Sequence, residues 1–203
     1  MKLNWFEKLM VNSSIRPIFL RKDARFMLQL GGNLIEGGRV LEIGCGRGFG
    51  VDIIFSMFNP SYVEAFDFDP HQVHLAKKRL SNKYQNKVHL YEASATKIPS
   101  DDNHFDAIFD FAALHHISDN AVALNEISRV LKPGGQFFFL EMLSSLTLKP
   151  IMRLLTLHPP EAQFTWPELS MKLEKSSLDL SKHAFLSSHK VVGVAFKEEG
   201  RTS

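Results

Sequence analysis

The sequence contains one cysteine, Cys45, in 203 residues. That excludes an internal disulfide framework and suits a reducing compartment. It also lacks any run near the ~18 apolar residues needed to cross a bilayer. Glu7 and Lys8 interrupt what would be the apolar part of a secretory leader. A cytoplasmic protein is the expectation, with peripheral membrane contact left open. No sign of charge dominates, since 24 Lys and Arg face 22 Asp and Glu, a formal charge of +2. Composition therefore gives no support for a nucleic-acid partner. Repeats and low-complexity tracts are absent as well. What remains is ordinary globular material with 44% hydrophobic and 23% charged residues, enough for one sizeable α/β domain.

The stretch with the most information is Val40-Leu41-Glu42-Ile43-Gly44-Cys45-Gly46-Arg47-Gly48-Phe49-Gly50. An aliphatic run ends in alternating glycines, and a helical apolar pattern follows with Phe49, Ile53, Ile54, Met57 and Phe58 on one face. This predicts strand, tight turn and helix. Glycines permit a sharp turn and close ligand approach, and the first N–H groups of the helix point into the same space. The dinucleotide fingerprint G-x-G-x-x-G does not fit, because counting from Gly44 puts Phe49 at its third glycine.

Upstream, residues 2–12 have helical periodicity, and Asp23 is placed to cap a second helix that Gly31-Gly32 stops. Trp5 and Phe6, with Arg16, Arg21, Lys22 and Arg25 nearby, allow either a flap over a site or a plain helical arm. Downstream, strands are expected at 62–66, 87–91, 105–111 and 136–141. Asp69-Pro70 opens one intervening helix and Ser118-Asp119-Asn120 another, which Lys132-Pro133-Gly134-Gly135 stops. Alternating strands and helices imply a parallel sheet covered on both faces. Gly44, Asp67, Ser94 and Phe111 all fall near strand ends, where such sheets bind ligands. The tail differs in texture. Leu143 to Leu157 is apolar and broken by Pro150, and Thr165-Trp166-Pro167-Glu168 has the form of a capping box. Residues 182–186 and 190–197 read as a hairpin.

Four segments in order carry a family resemblance. The glycine run with Glu42 resembles the first motif of the class I S-adenosylmethionine-dependent methyltransferases. Ala65-Phe66-Asp67-Phe68-Asp69-Pro70 resembles the second, Phe105 to Ile117 the strand-four motif with its Leu114-His115 pair, and Leu131-Lys132-Pro133-Gly134-Gly135 the turn into strand five. Together they span roughly residues 36–141, a joint match more specific than any one motif. The nearest branch is the small-molecule one that includes ubiquinone and menaquinone methyltransferases. The resemblance implies a Rossmann-like α/β fold: a seven-stranded, mostly parallel sheet with helices on both faces and a C-terminal antiparallel hairpin. One domain over 1–203 is expected, with a helical arm (1–32), a cofactor-binding core (33–141), and a lid segment with the hairpin (142–203).

The resemblance also implies S-adenosylmethionine as cofactor, held by Glu42, Gly44, Cys45, Gly46, Gly48, Asp67, Phe68, Ser94, Ala95, Asp110 and Phe111. Asp67 would accept the ribose hydroxyls, Phe68 would lie against adenine, and Ser94 stands where the family commonly has an acid. The family's Gly-Phe before strand six is absent around Ser177-Leu178. The expected activity is methyl transfer to a small, apolar or aromatic acceptor, with His115 or His116 as candidate general base. A catalytically silent binding module on the same fold is the alternative. His158 is a weaker catalytic candidate. His71 and His74 alone offer too few ligands for a metal site, so no metal is expected. The acceptor, its methylated atom and the oligomeric state are not legible.

Overall fold

The computed structural model describes residues 16–30, 36–147 and 160–199. The expected helix at 2–12, Trp5, Phe6, Pro150 and His158 lie outside the described residues. The elements are α1 (Arg16–Gln29), β1 (Arg39–Ile43), α2 (Phe49–Phe58), β2 (Tyr62–Asp67), α3 (Pro70–Leu80), β3 (Val88–Glu92) and β4 (Phe105–Phe111). After a 3-10 turn (Leu114–His116) come α4 (Asn120–Val130), β5 (Leu131–Met142), a short α5 (Ser144–Thr147), a second 3-10 turn (Pro160–Ala162), α6 (Trp166–Lys175), β6 (Leu178–Ser187) and β7 (Lys190–Lys197).

The strands form one seven-stranded sheet in the order β3-β2-β1-β4-β5-β7-β6. β1 pairs in parallel with both β2 and β4, so the strand order reverses between β1 and β4. β7 runs antiparallel to β5 and to β6. This is the expected fold, with the reversed strand supplied by the hairpin.

Side-chain alternation sorts the central strands onto two cores. Val40, Phe109, Phe138, Val192 and Val194 join the core under α1, α2 and α3. Leu41, Ile43, Ile108, Phe137 and Phe139 join the one under α4 and α6. Both faces are covered, which is why β5 tolerates three successive buried phenylalanines. Phe109 and Phe138 stack at 4.7 Å between centroids, and Phe58 meets Phe109 edge-on at 4.6 Å.

Three local expectations need correction. Asp23 does not cap a helix, because α1 already begins at Arg16 with Pro17 in its first turn, where no N–H is missed. Asp23 is instead buried at 5% exposure and paired with Lys190 Nζ at 2.6 Å, which ties α1 to β7. β5 begins at Leu131 rather than 136, because an irregularity in its pairing with β4 between Phe105 and Ala107 accommodates Pro133 and Gly134. β6 likewise begins earlier than 182, at Leu178. The Asp69 cap and the capping box at Thr165 and Glu168 are present as expected.

Candidate functional site

The β1–α2 turn is left-handed at Gly44 (φ 63°), Gly46 (φ 52°) and Gly48 (φ 77°). At Gly44 a Cβ would stand 2.6 Å from the Cβ of Ala113, so the turns after β1 and β4 can meet only without a side chain there. Asp67, at the end of β2, locks the turn from the other side. Its Oδ2 accepts the Gly46 N–H at 2.8 Å and its Oδ1 accepts the Asp69 N–H at 2.9 Å. Each carboxylate oxygen keeps a further acceptor site. From α3, Arg79 donates Nε–H to the Arg47 carbonyl at 2.8 Å and also bonds the Gly48 carbonyl and Asp52. Lys83 and Tyr84 complete the cluster around Asp52. The glycine turn is thus braced from its outer side.

Between these turns lies a cleft of about 290 Å³. One wall carries Gly44, Gly46, Asp67 and Phe68, with Ala93 to Thr96 after β3; the other carries Phe111 to Ala113 and His116 to Asp119. The structure therefore gathers Gly44, Gly46, Asp67, Phe68, Ser94, Ala95, Phe111 and His116 around one space. Phe68 is 52% exposed, so its ring is open to a ligand in the cleft it lines. Ser94 and Thr96, both lining the cleft, share a hydroxyl–hydroxyl hydrogen bond of 2.8 Å. Glu42 and Cys45 line an adjoining recess together with Gly44, Gly46, Phe111 and Arg16.

Three predicted positions fall elsewhere. Gly48 packs against Leu80 and Ala76 of α3, behind the turn. Asp110 is fully buried behind the cleft wall, where its Oδ1 accepts the Ala113 N–H at 2.8 Å. The two histidines are divided. His116 borders the cleft, whereas His115 is 4% exposed and holds its Nδ1 2.6 Å from Glu141 Oε2. Their rings lie 4.2 Å apart. Among the described residues no cluster of three or more His, Cys, Asp or Glu side chains is arranged to hold a metal.

Sequence reasoning missed Arg16 as a wall residue, Gln72, Thr96 and Glu141. For Glu141 a signal existed: an acid inside Phe137-Phe138-Phe139-Leu140-Glu141 must find partners if the strand is buried on both faces. Gln72, on α3, is 2% exposed and lines the cleft, and neither polar atom of its amide has a hydrogen-bond partner among the described residues. Glu42 is as buried, and among the described residues its Oε2 also lacks a hydrogen-bond partner. Buried polar groups seldom go unpaired, so these atoms suit a polar ligand. A Cβ on Gly50 would collide with Glu42 Oε1, so that glycine makes the space in which the carboxylate sits.

Burial raises the pKa of Glu42 well above the carboxylate range, partly offset by Arg16 and reinforced by Asp67 and Asp110. Burial likewise raises Asp67, against the two backbone N–H groups it accepts, and pushes the Cys45 thiol up. Asp110 and Glu141 form a buried carboxyl pair. Burial, then the neighbouring Glu141, raises Asp110, while burial brings Glu141 up to about 7. Between the ordinary carboxylate range and about pH 7 the unfolded chain releases protons that the folded chain keeps. Stability should therefore fall as pH rises through that window. The melting temperature is expected to decline from pH 5 to pH 7.5. Asp110→Asn, which mimics the protonated acid, should reduce the slope; a variant with the wild-type slope would show that the pair carries no such proton.

Comparison with known proteins agrees with this geometry. Residues 41–139 match the family model described as methyltransferase domain. A fatty-acid O-methyltransferase of Mycolicibacterium smegmatis is 30% identical over 105 residues, covering 52% of this chain and 37% of that protein. A ubiquinone/menaquinone biosynthesis C-methyltransferase of Ectopseudomonas mendocina is 34% identical over 119 residues, covering 58% of this chain and 46% of the relative. The match thus spans less than half the length of either relative. The crystal structure of a SAM dependent methyltransferase from Aquifex aeolicus, 22% identical, superposes with a TM-score of 0.76 over 97% of this chain and 100% of the other. No described helix is long and apolar enough to cross a membrane. The motifs, the sheet order and the family match point the same way: residues 41–139 match the methyltransferase-domain family, and the fold is similar to that of a solved S-adenosylmethionine-dependent methyltransferase.

Proposed function

We propose that this protein transfers a methyl group from S-adenosylmethionine to a small, largely apolar or aromatic acceptor. The observation that carries the reading is the single cleft joining the glycine turn, Asp67 and Phe68 on one side to His116 on the other. The residues present fit the cofactor. Asp67 has acceptor capacity left for a vicinal diol, and Phe68 offers an exposed ring to a purine. Ser94 and Thr96 offer hydroxyls, and the unpaired atoms of Glu42 and Gln72 await polar partners. When bound, the cofactor supplies an electrophilic methyl group on a sulfonium centre.

The protein's own contribution is alignment and the exclusion of water. The braced turn fixes one reactant, and Phe111, Ala113 and Ile117 give the opposite wall an apolar surface for the other. His116 is the proposed base, taking the acceptor's proton at an imidazole nitrogen where the acceptor needs activation. His115, turned towards Glu141, supports that wall rather than facing the acceptor. The names of the relatives point to quinols and fatty acids as first acceptors to try.

The test is calorimetric titration with S-adenosylmethionine and S-adenosylhomocysteine, followed by a methyl-transfer screen over quinols, phenols and fatty acids. Binding with turnover on one class is expected. Tight binding without turnover on any would favour the silent module, and no binding would remove the cofactor reading.

A further inference from the structure

The outer face of α1 is used neither by the core nor by the cleft. Leu20, Ala24 and Met27 bury one side of the helix, together with Asp23, which pairs with Lys190. On the opposite side Ile18, Lys22 and Arg25 recur at helical spacing, and Phe19 lies beside them. Ile18 is 69% exposed and Phe19 57%. A single exposed apolar side chain is ordinary on a protein surface. Among the described residues, however, α1 is the one element that exposes two large ones, and they are adjacent.

The charge on this face is one-sided. Arg21, Lys22 and Arg25 are exposed, and the only acid of the helix, Asp23, is buried. Lys22 and Arg25 make no hydrogen bond or ion pair with another described residue, and Arg21 donates to the neutral Ser56 hydroxyl at 3.4 Å. The whole chain has a formal charge of +2, so three unneutralised cations on one helix are a local concentration rather than a reflection of composition. A contrast is offered by α3, where Lys77 and Lys78 are also exposed but no large apolar side chain is.

We propose that this face docks the protein on an anionic lipid bilayer. Arg21, Lys22 and Arg25 face the lipid phosphates, and Ile18 and Phe19 enter the boundary between headgroups and acyl chains. Charge complementarity selects the sign of the surface. The two apolar side chains favour lipid over nucleic acid, which offers phosphates but no hydrocarbon to receive an isoleucine. Attraction of each basic residue to such a surface is worth about fivefold in affinity, so docking is weak and reversible. The end of α1 that carries Ile18 and Phe19 is also the end that reaches the cleft, through Arg16. Docking therefore brings the cleft to the phase in which an apolar acceptor dissolves. The docking surface stands or falls independently of the cofactor reading.

The experiment is flotation of the full chain with vesicles of phosphatidylcholine alone and of phosphatidylcholine mixed equally with phosphatidylglycerol. The wild type should bind the anionic vesicles roughly tenfold or more tightly than the neutral ones, and added salt should remove the difference. Lys22→Gln combined with Arg25→Gln should weaken binding about twentyfold, and Phe19→Ser about tenfold. These positions are exposed, so the variants should melt like the wild type. Lys77→Gln combined with Lys78→Gln, on α3, should leave binding unchanged. Absence of binding to the anionic vesicles, or equal binding to the neutral ones, overturns the proposal without any need for a variant to fold. So does wild-type affinity in either α1 variant, or an α3 variant that loses as much. Retention on single-stranded RNA without retention on vesicles overturns it in favour of a nucleic-acid surface.

Discussion

Replacement of Glu141 by alanine is expected to cost the fold about 3–5 kcal/mol, the range for breaking a buried, hydrogen-bonded charge network by removing one partner. Glu141 is fully buried. It accepts the Leu114 N–H at 2.8 Å and the Met142 N–H at 3.2 Å, and lies 2.6 Å from His115 Nδ1. Alanine would remove the acceptor that these three groups share and the partner of Asp110, and leave a void between β4 and β5. Glutamine keeps the volume and one acceptor oxygen, so its loss should be smaller, about 1–2 kcal/mol. Urea denaturation of both variants measures the difference. The turn after β4 depends on the same groups. Ala112 sits there at φ 67°, a strained value for a residue with a side chain, and Asp110 and Glu141 hold the two N–H groups that follow it. Cofactor affinity should therefore drop with stability in Glu141→Ala. An alanine variant within about 1 kcal/mol of the wild type would show that the network contributes little.

Asp67→Ala should weaken S-adenosylmethionine binding by about 1.5–3 kcal/mol, the worth of hydrogen bonds to a charged group. That is roughly ten- to more than a hundredfold in affinity. Part of the loss comes from the ligand's hydroxyls and part from the turn, because the Gly46 and Asp69 N–H groups both lose their acceptor. Asp67→Asn separates the two contributions. It keeps one oxygen for the turn while replacing the other with a donor, so an intermediate affinity is expected, with a melting temperature nearer the wild type. Titration of both variants, alongside their melting curves, tests this. Unchanged affinity in Asp67→Ala would remove Asp67 from the site.

The parts of the molecule legible from sequence were those governed by local rules. The limits of β4 and β7 followed from their apolar runs and neighbouring turn residues, and the helix starts at Pro70 and Trp166 followed from their caps. The turn around Gly44 and the acid ending β2 were legible because glycine and carboxylate serve few other purposes at such spacing. Asp23 was misread because a capping acid and an interior acid look alike until the partner is known. That partner, Lys190, lies 167 residues away. His115 and His116 are adjacent in the chain, so only the 3-10 turn decides which ring enters the core. Arg16 was legible as a basic residue of the arm but not as a wall of the cleft, since its address there depends on how α1 docks against the sheet.

The placement of β7 has a consequence for how the molecule is made. β7 is inserted between β5 and β6, and of the described strands it is the last to be synthesised. Until it emerges from the ribosome, β5 offers Phe137, Phe138 and Phe139 on an open edge, the kind of segment that recruits other chains. α1 waits too, because Lys190, which anchors Asp23, arrives with β7. The glycine turn and Asp67 can assemble early from neighbouring β1 and β2, whereas the Arg16 wall closes only once β7 has been made. A nascent chain therefore passes through an interval with half a cleft and an unpaired aromatic strand, during which a chaperone has more to hold than the cofactor does.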